Sequence, residues 1–291
     1  MTTTPIDQAH RSSFCPVSGG SLYYETIGRG PTLVMMPAGH GTGVVFEPLA
    51  ASLARHFRVV LYDRRYFFRS CKNDPTDGSP SQTILKTHAE DAAALIAHVS
   101  PGRPVYFFTT SSGAPIAAEL LYSRPHLFRK LVMHEASFFT LLPLPVHEQY
   151  RKDLVEVWTR GRELGAVRFN MLIVHWVHRS EELERLKETK TYRRLASLSR
   201  NAQFNWLANE LPEVLEYEFE MDRMRPFRDR LVLMRGSYNS PDAAVGPVTR
   251  LADALGIQLD VVPGGHEGYV TDYEEFAGFL IAELREKRAR L

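Results

Sequence analysis

The sequence predicts an α/β fold with a mostly parallel central sheet, flanked by helices and interrupted by one inserted helical segment. Short apolar runs rich in β-branched residues alternate with helix-like segments in the first and last parts of the chain. This βαβα order is typical of parallel sheets with crossover helices. Between the two parts, charged helical segments follow one another without a strand-like run. We therefore expect a core of residues 1–137 and 226–291 and a helical cap at residues 138–225.

Seven short apolar runs are predicted to form the strands of the core. In chain order they are residues 21–25, 32–36, 58–62, 104–108, 130–134, 230–234 and 258–262. The glycines and the proline of residues 28–31 supply the turn chemistry of a hairpin, so the first two strands are expected to pair with each other.

Helical periodicity predicts the segments that connect and follow these strands. In chain order they are residues 45–56, 83–98, 114–123, 245–255 and 272–288 in the core, and 150–165, 169–178, 181–209 and 213–224 in the cap. With 291 residues, of which 44% are hydrophobic, the chain is long enough for one large core that carries an inserted lid.

The composition excludes several classes of partner. The 35 basic and 34 acidic side chains leave a formal charge of +1, so no electrostatic footprint for nucleic acid is present. No run approaches about 18 uncharged apolar residues, and the N-terminus lacks an apolar leader. Cys15 and Cys71 show no metal-ligand spacing. We expect a cytoplasmic protein that binds a hydrophobic small molecule without a metal or organic cofactor; whether it forms a homodimer stays open.

The most informative stretch is the junction at residues 105–114, where a β-rich run ends at a serine and a helix-like segment follows at once. A serine in such a tight strand-to-helix turn, or elbow, is exposed at the sheet edge, where a nucleophile is needed. Ser111 is therefore the predicted nucleophile. The usual pattern G-x-S-x-G is only half kept. Thr109 replaces the first glycine and Gly113 is the second, which predicts crowding, because a β-branched side chain stands where room is scarce.

A serine hydroxyl is a poor nucleophile unless a base and an orienting acid accompany it. The glycine-rich loop 263–269 follows the last strand and would present His266 at the carboxyl edge of the sheet, so His266 is the predicted base. The preferred acid is Glu135, which ends the strand after the elbow helix. Asp242 is the alternative, because Asn239 stands where the loop after the next-to-last strand would place the acid, and an amide cannot offset the imidazolium charge.

The tetrahedral intermediate of acyl transfer needs two hydrogen-bond donors for its oxygen. The amide of Ser112 and the glycine-rich region of Gly39 and His40 are predicted to supply them. Aromatic side chains are expected to line the substrate pocket, because they offer large apolar contact areas. The first choices are Trp176, Trp206 and Tyr66.

Other segments carry a family resemblance that covers nearly the whole core. Residues 62–65 with 69–70 resemble the YDRRGFGRS stretch of α/β-hydrolases, and residues 124–133 resemble the segment that leads into the strand after the elbow helix. Ser-Ser-Gly at the elbow, His-Glu at the end of that strand and Pro-Gly-x-His late in the chain resemble the branch that includes fungal zearalenone-type lactone hydrolases. The resemblance implies the α/β-hydrolase fold.

In that branch the triad acid is the strand-end glutamate, which the resemblance carries over to Glu135, with Ser111 as nucleophile and His266 as base. It implies a hydrolase that cleaves an ester or lactone through an acyl-enzyme, with the amides of Gly39 and Ser112 as oxyanion donors. Two other hypotheses stay open. The same residues could catalyse a non-hydrolytic step of secondary metabolism, such as C–C cleavage, condensation or isomerisation, or the fold could be a catalytically silent binding protein.

Overall fold

A computed structural model describes residues 10–70, 83–164, 174, 177–197, 206–238 and 242–285. Eight strands lie within these ranges. They are β1 (Arg11–Val17), β2 (Gly20–Ile27), β3 (Thr32–Met36), β4 (Arg58–Tyr62), β5 (Val105–Thr110), β6 (Phe128–His134), β7 (Leu231–Gly236) and β8 (Leu259–Val262). They form one sheet in the order β1-β2-β4-β3-β5-β6-β7-β8.

The sheet is parallel from β4 through β3, β5, β6 and β7 to β8, and β1 and β2 add an antiparallel edge. This arrangement confirms the predicted α/β class. The predicted hairpin is wrong, because β2 pairs with β1 and β4, and β4 lies between β2 and β3. Strand β1 has no counterpart among the predicted strands: most of its side chains are exposed and it contains Pro16, so only its pairing with β2 marks it as a strand.

The described helices alternate with the strands of the core, and several more lie between β6 and β7. They are α1 (Glu47–Leu53), α2 (Ile84–Val99), α3 (Gly113–Ser123), α4 (Leu144–Leu164), α5 (Ser180–Glu188), α6 (Lys190–Ser197), α7 (Leu211–Leu215), α8 (Met221–Met224), α9 (Asp242–Leu255), α10 (Gly268–Thr271) and α11 (Tyr273–Leu284). A short π-helical turn, Trp206–Glu210, precedes α7. None of these helices is long and apolar enough to cross a membrane.

The predicted cap helix 181–209 is divided in the described part. Helix α5 ends before Thr189, whose backbone is extended (φ −74°, ψ 150°). The Thr189 hydroxyl donates to the carbonyl of Leu186 and accepts from the amide of Tyr192, so it caps the end of α5 and the start of α6. The predicted helix 169–178 lies almost entirely outside the described residues.

Two apolar cores cover the two faces of the sheet. Helices α2, α3 and α9 pack on one face, and α1 and α11 pack on the other. Successive strand side chains point to opposite faces, so Phe107 belongs to the first core and Phe108 to the second. All six residues of β5 are buried, which holds the strand that carries the predicted nucleophile between two packed layers.

Candidate active site

Ser111 and Glu135 lie next to each other at the carboxyl edge of the sheet. Thr110 pairs with His134 across β5 and β6, so each of the two residues directly follows a paired strand end. Both have positive φ, +49° and +44°, which non-glycine residues adopt only where their surroundings impose it. The Ser111 amide donates to the His134 carbonyl at 3.0 Å, and the Glu135 amide donates to the Met234 carbonyl at 2.8 Å. The sheet therefore holds both residues in strained positions typical of functional sites.

The Thr109 side chain fits at the elbow because Gly113, which has no side chain, lies beside it. A Cβ atom built on Gly113 would lie 2.2 Å from Thr109 Oγ1. The missing side chain at position 113 therefore leaves room for the threonine, which is fully buried and whose hydroxyl lies 3.4 Å from the Met36 carbonyl oxygen. The threonine that replaces the first glycine of the motif depends on the second glycine being kept.

This packing predicts a strong coupling between the two positions. Gly113→Ala is expected to lower the free energy of unfolding by about 2 kcal/mol, because the new methyl group meets the stiff, buried Thr109 side chain. In a Thr109→Ala background the same substitution should be neutral or stabilising, since alanine is a better helix former than glycine. Denaturant unfolding of the four proteins in this double-mutant cycle measures the difference. An equal cost of Gly113→Ala in both backgrounds would contradict the packing argument.

His266 is hydrogen-bonded to Glu135, with 2.7 Å between His266 Nδ1 and Glu135 Oε2. The other carboxylate oxygen accepts from the amide of Gly236 on β7 at 2.9 Å, and the Glu135 side chain is completely buried. Burial alone would raise the pKa of this carboxyl, but the hydrogen bond with His266, the neighbouring imidazoles and the Gly236 amide lower it to about 2. An ionised carboxylate can only accept, so His266 Nδ1 carries a hydrogen and donates it to Glu135.

The alternative acid has no described contact with the histidine. Asp242 is the first residue of α9, and its side chain and Asn239 lie outside the described part of the chain. The contact that the structure does describe at His266 Nδ1 is made by Glu135, which directly follows β6. This placement matches the strand-end position that the resemblance implies.

Ser111 and His266 line one cavity at the edge of the sheet. The Ser111 hydroxyl has Ser137 Oγ as its hydrogen-bond partner, at 3.3 Å, and the Ser137 amide donates to the Ser111 carbonyl at 3.2 Å. Ser137 is a site residue that the sequence analysis misses. Its only signal in the sequence is its position two residues after Glu135.

The cavity wall is mostly apolar. Its apolar part consists of Ala38, Phe68, Val174, Val177, Leu195 and Trp206. The predicted contact Trp206 is in this wall and Trp176 lies outside the described residues. Tyr66 is not among the lining residues, whereas Phe68 is; both have positive φ, +69° and +38°. Across the described ranges, no three His, Cys, Asp or Glu side chains converge to hold a metal ion.

The glycine-rich loop after β3 forms the opposite side of the cavity. The Ala38 carbonyl accepts from the amide of Gly41 at 2.8 Å and from the Arg64 guanidinium at 2.6 Å, which fixes the turn. A Cβ on Gly39 would lie 2.8 Å from the Trp206 indole, so only glycine lets the indole pack there. Within the described part of the chain, no hydrogen bond uses the amides of Gly39 or Ser112. Of the two predicted oxyanion donors, Gly39 lines the cavity and Ser112 directly follows the lining residue Ser111.

A buried ion pair connects this loop to the π-helical turn that carries Trp206. Arg64 donates to Glu210 at 2.6 Å, and the other Glu210 oxygen lies 2.8 Å from His88 Nε2, with all three side chains almost fully buried. Burial would raise the pKa of Glu210, but Arg64 and His88 lower it. The ion pair of Arg64 and Glu210 therefore keeps the Glu210 carboxylate charged between the core and the π-helical turn. It also positions Trp206, in the same turn, over Gly39.

The side chain of His40 contributes to a different contact from the one predicted. His40 Nε2 lies 2.6 Å from Oε1 of Glu267, the residue that follows His266 in the chain. Both His40 and Glu267 line the cavity. The sequence analysis does not single out Glu267, because a glutamate in a glycine-rich loop has no distinguishing pattern. The approach of the two loops through the tertiary structure makes it part of the site.

Comparisons with known proteins agree with this architecture. A family model described as the alpha/beta hydrolase fold matches residues 31–219. YraK, an uncharacterized hydrolase of Bacillus subtilis (strain 168), is 27% identical over 280 residues, which cover 94% of this chain and 95% of the relative. The zearalenone hydrolase of Bionectria ochroleuca is 22% identical over 275 residues, with 93% and 96% covered. A thermophilic esterase structure from Thermogutta terrifontis superposes with a TM-score of 0.68 at 17% identity, with 94% of this chain and 98% of that chain covered.

Proposed function

The chain belongs to the α/β-hydrolase fold family, and from this premise we propose that it is a serine hydrolase that cleaves an ester or lactone of a hydrophobic small molecule. Ser111 is the proposed nucleophile, His266 the base and Glu135 the acid that orients it. The relatives that match over nearly their whole length, YraK and the zearalenone hydrolase, are both named hydrolases, which supports the reaction class.

One observation carries the proposal. The completely buried Glu135 holds His266 Nδ1 at 2.7 Å, at a cavity that is also lined by Ser111 in its strained turn. A carboxylate, an imidazole and a serine with these partners supply the three groups that serine acyl transfer needs. The contact of Ser111 with Ser137 is compatible with this role, because catalytic hydrogen bonds in ligand-free sites often form only when the substrate binds.

The proposed reaction has two halves. His266 Nε2 takes the Ser111 proton while the serine oxygen attacks the carbonyl carbon, and the amides of Gly39 and Ser112 bind the resulting oxyanion. The imidazolium, stabilised by Glu135, then gives its proton to the leaving alkoxide, and the ester of Ser111 remains. Water, activated by His266 in the same way, attacks this acyl-enzyme, so that the acid is released and Ser111 regains its proton.

The walls of the cavity support a hydrophobic substrate. Phe68, Leu195 and Trp206 surround the reacting groups with apolar surface, and sites of this kind bind mainly by burying the apolar parts of a ligand. Because the Trp206 indole packs on Gly39, we propose that it contacts the substrate close to the oxyanion. A lactone and a linear ester present the same carbonyl to this arrangement.

A second candidate function rests on the contact of Ser111 with Ser137. If the serine keeps this partner during the reaction, the pair of His266 and Glu135 can act as a general acid and base on a substrate that is never attached to the protein. C–C cleavage, condensation and isomerisation belong to this class. Hydrolysis places an oxygen atom of water in the acid product, whereas these non-hydrolytic reactions do not.

Labelling and isotope incorporation test the proposal together. The protein is treated with a fluorophosphonate probe and the labelled residue is mapped by mass spectrometry; a separate sample hydrolyses 4-nitrophenyl butyrate in heavy-oxygen water. We expect the label on Ser111, which carries the activated hydroxyl, and one heavy oxygen in the released butyrate. The matched control Ser137→Ala should still be labelled at Ser111. Absence of label and of ester turnover would overturn the serine-hydrolase proposal, and label on Ser111 without turnover of the ester would favour the second candidate.

A further inference from the structure

The cavity contains a second buried imidazole that the proposed reaction does not use. His178, from the segment between β6 and β7, lines the cavity, and only 6% of its side chain is exposed. Its ring packs edge-to-face against the ring of His266, with 5.2 Å between the ring centroids. A polar group on His178 therefore lies close to the proposed reacting groups.

One nitrogen of this ring has a hydrogen-bond partner, and the other faces the carboxylate of Glu267 at 3.5 Å without a hydrogen bond of good geometry. His178 Nδ1 lies 3.0 Å from the Val174 carbonyl, which can only accept, so Nδ1 carries a hydrogen. His178 Nε2 is buried and has no hydrogen-bond partner. Its ion-pair neighbour Glu267 Oε1 is 3.5 Å away, which is too long for a good hydrogen bond. Buried polar atoms without partners are rare, and one in the wall of a ligand cavity indicates a group supplied by the ligand.

The surroundings of His178 make its free nitrogen a donor. Burial alone would lower the pKa of His178, but Glu267 and Glu182, with the Val174 carbonyl, raise it to about 8. At neutral pH the ring is therefore mostly a cation, in which both nitrogens carry hydrogen. The missing partner must be an acceptor, which in a small-molecule ligand is an oxygen.

The charge of that oxygen follows from its neighbours. The carboxylate of Glu267 already balances the charge of His178, and it is held in place by His40 at 2.6 Å. A ligand carboxylate that approached His178 Nε2 would be repelled by Glu267 at close range. An uncharged carbonyl oxygen accepts the same hydrogen bond without this repulsion.

We propose that His178 Nε2 recognises a second, uncharged carbonyl oxygen of the substrate, a few bonds from the carbonyl that is attacked. This inference rests on the proposed function in one respect, that the substrate is an ester or lactone held at Ser111. It narrows the substrate class to oxo esters or oxo lactones. His178 then acts as a binding residue that determines specificity and takes no part in proton transfer.

A comparison of paired substrates tests the role of His178. Phenyl pentanoate is compared with its 3-oxo and 4-oxo analogues in the wild-type protein and in His178→Phe, which keeps an aromatic ring and removes the donor. The measured quantity is the ratio of kcat/KM for the oxo ester to that for the plain ester. We expect this ratio to fall about ten-fold in His178→Phe for at least one oxo position. General damage by the substitution cancels within each ratio, and the intrinsic reactivity of the oxo esters cancels when the ratios of the two proteins are compared.

The matched control is His147→Phe. His147 is another buried histidine of the same helical segment, and its Nε2 is bonded to the Leu215 carbonyl at 2.7 Å, away from the cavity lining. Its substitution should leave the ratio at the wild-type value. A ratio that is the same in His178→Phe as in the wild-type protein, at both oxo positions, would overturn the proposal.

A binding measurement separates this inference from the proposed function. Phenyl 4-oxopentanoate, phenyl 3-oxopentanoate and phenyl pentanoate are titrated into Ser111→Ala protein, with tryptophan fluorescence as the signal. We expect about ten-fold tighter binding of one oxo ester, and its loss when His178→Phe is added. If no ester is hydrolysed by the wild-type protein but this preference is present, the proposed function fails and the recognition by His178 stands. If the esters are hydrolysed but the preference is absent, only the recognition fails.

Discussion

Replacing Ser111 by alanine is expected to lower kcat/KM for 4-nitrophenyl butyrate by at least about 10⁴-fold, because it removes the hydroxyl that is proposed to form the acyl-enzyme. The substitution removes only a hydroxyl whose partner is Ser137, so the fold should be retained. Initial rates measured by nitrophenolate release give the value, and circular dichroism checks the fold. Residual activity within about ten-fold of the wild-type protein would exclude Ser111 as the nucleophile.

Ser112→Ala is the matched control for this experiment. The hydroxyl of Ser112 is buried without a hydrogen-bond partner, and its proposed role uses only the backbone amide, which alanine retains. Removing a buried unsatisfied hydroxyl costs little or stabilises the protein. We therefore expect a change of less than about three-fold in kcat/KM. The contrast between adjacent serines separates nucleophilic catalysis from general disturbance of the elbow.

Replacing Glu135 by glutamine is expected to lower kcat by about 10³- to 10⁴-fold with a small change in KM. The amide has nearly the shape of the carboxylate, and its oxygen can still accept from Gly236. It cannot stabilise the imidazolium form of His266, and its NH₂ group favours the wrong tautomer of the ring. Steady-state kinetics of the purified variant measure the effect.

The comparison variant is Asp242→Asn, which removes the alternative acid by the same type of substitution. With Glu135 already on His266 Nδ1 at 2.7 Å, we expect Asp242→Asn to change kcat by less than about three-fold. The reverse result, a large loss in Asp242→Asn and a small one in Glu135→Gln, would assign the orienting acid to the loop after β7 and contradict the arrangement described here.

The predicted strands and core helices follow from local patterns. A run such as β5 is buried on both faces, so it has to be apolar and β-branched, and this composition identifies it without any knowledge of its neighbours. The pairing of strands is not local. The turn chemistry at residues 28–31 suggests a hairpin, but β4, which is more apolar than β1, occupies the position beside β3, and β2 pairs with it from the other side.

The site likewise has features that the sequence predicts and features that only the tertiary structure shows. Ser111 and Glu135 directly follow strand ends, and His266 lies in the loop after β8. Parallel strands bring such positions to one edge, so their meeting can be expected from the sequence alone. The elbow is different. Thr109 predicts crowding in the sequence, whereas the structure places its hydroxyl in the space that Gly113 leaves open.

The sequence by itself determined the fold class and indicated Ser111 and His266 for the proposed reaction, because these depend on residue types at strand ends and in the loops after them. Only the tertiary structure decided which acid contacts His266, how Thr109 fits and which polar groups surround the cavity. Glu267, Glu210 and His178 acquire their surroundings from segments far away in the chain, through His40, Arg64 and the ring of His266. No local pattern encodes such contacts, because burial and charge at each of these positions are set by the residues that packing brings there.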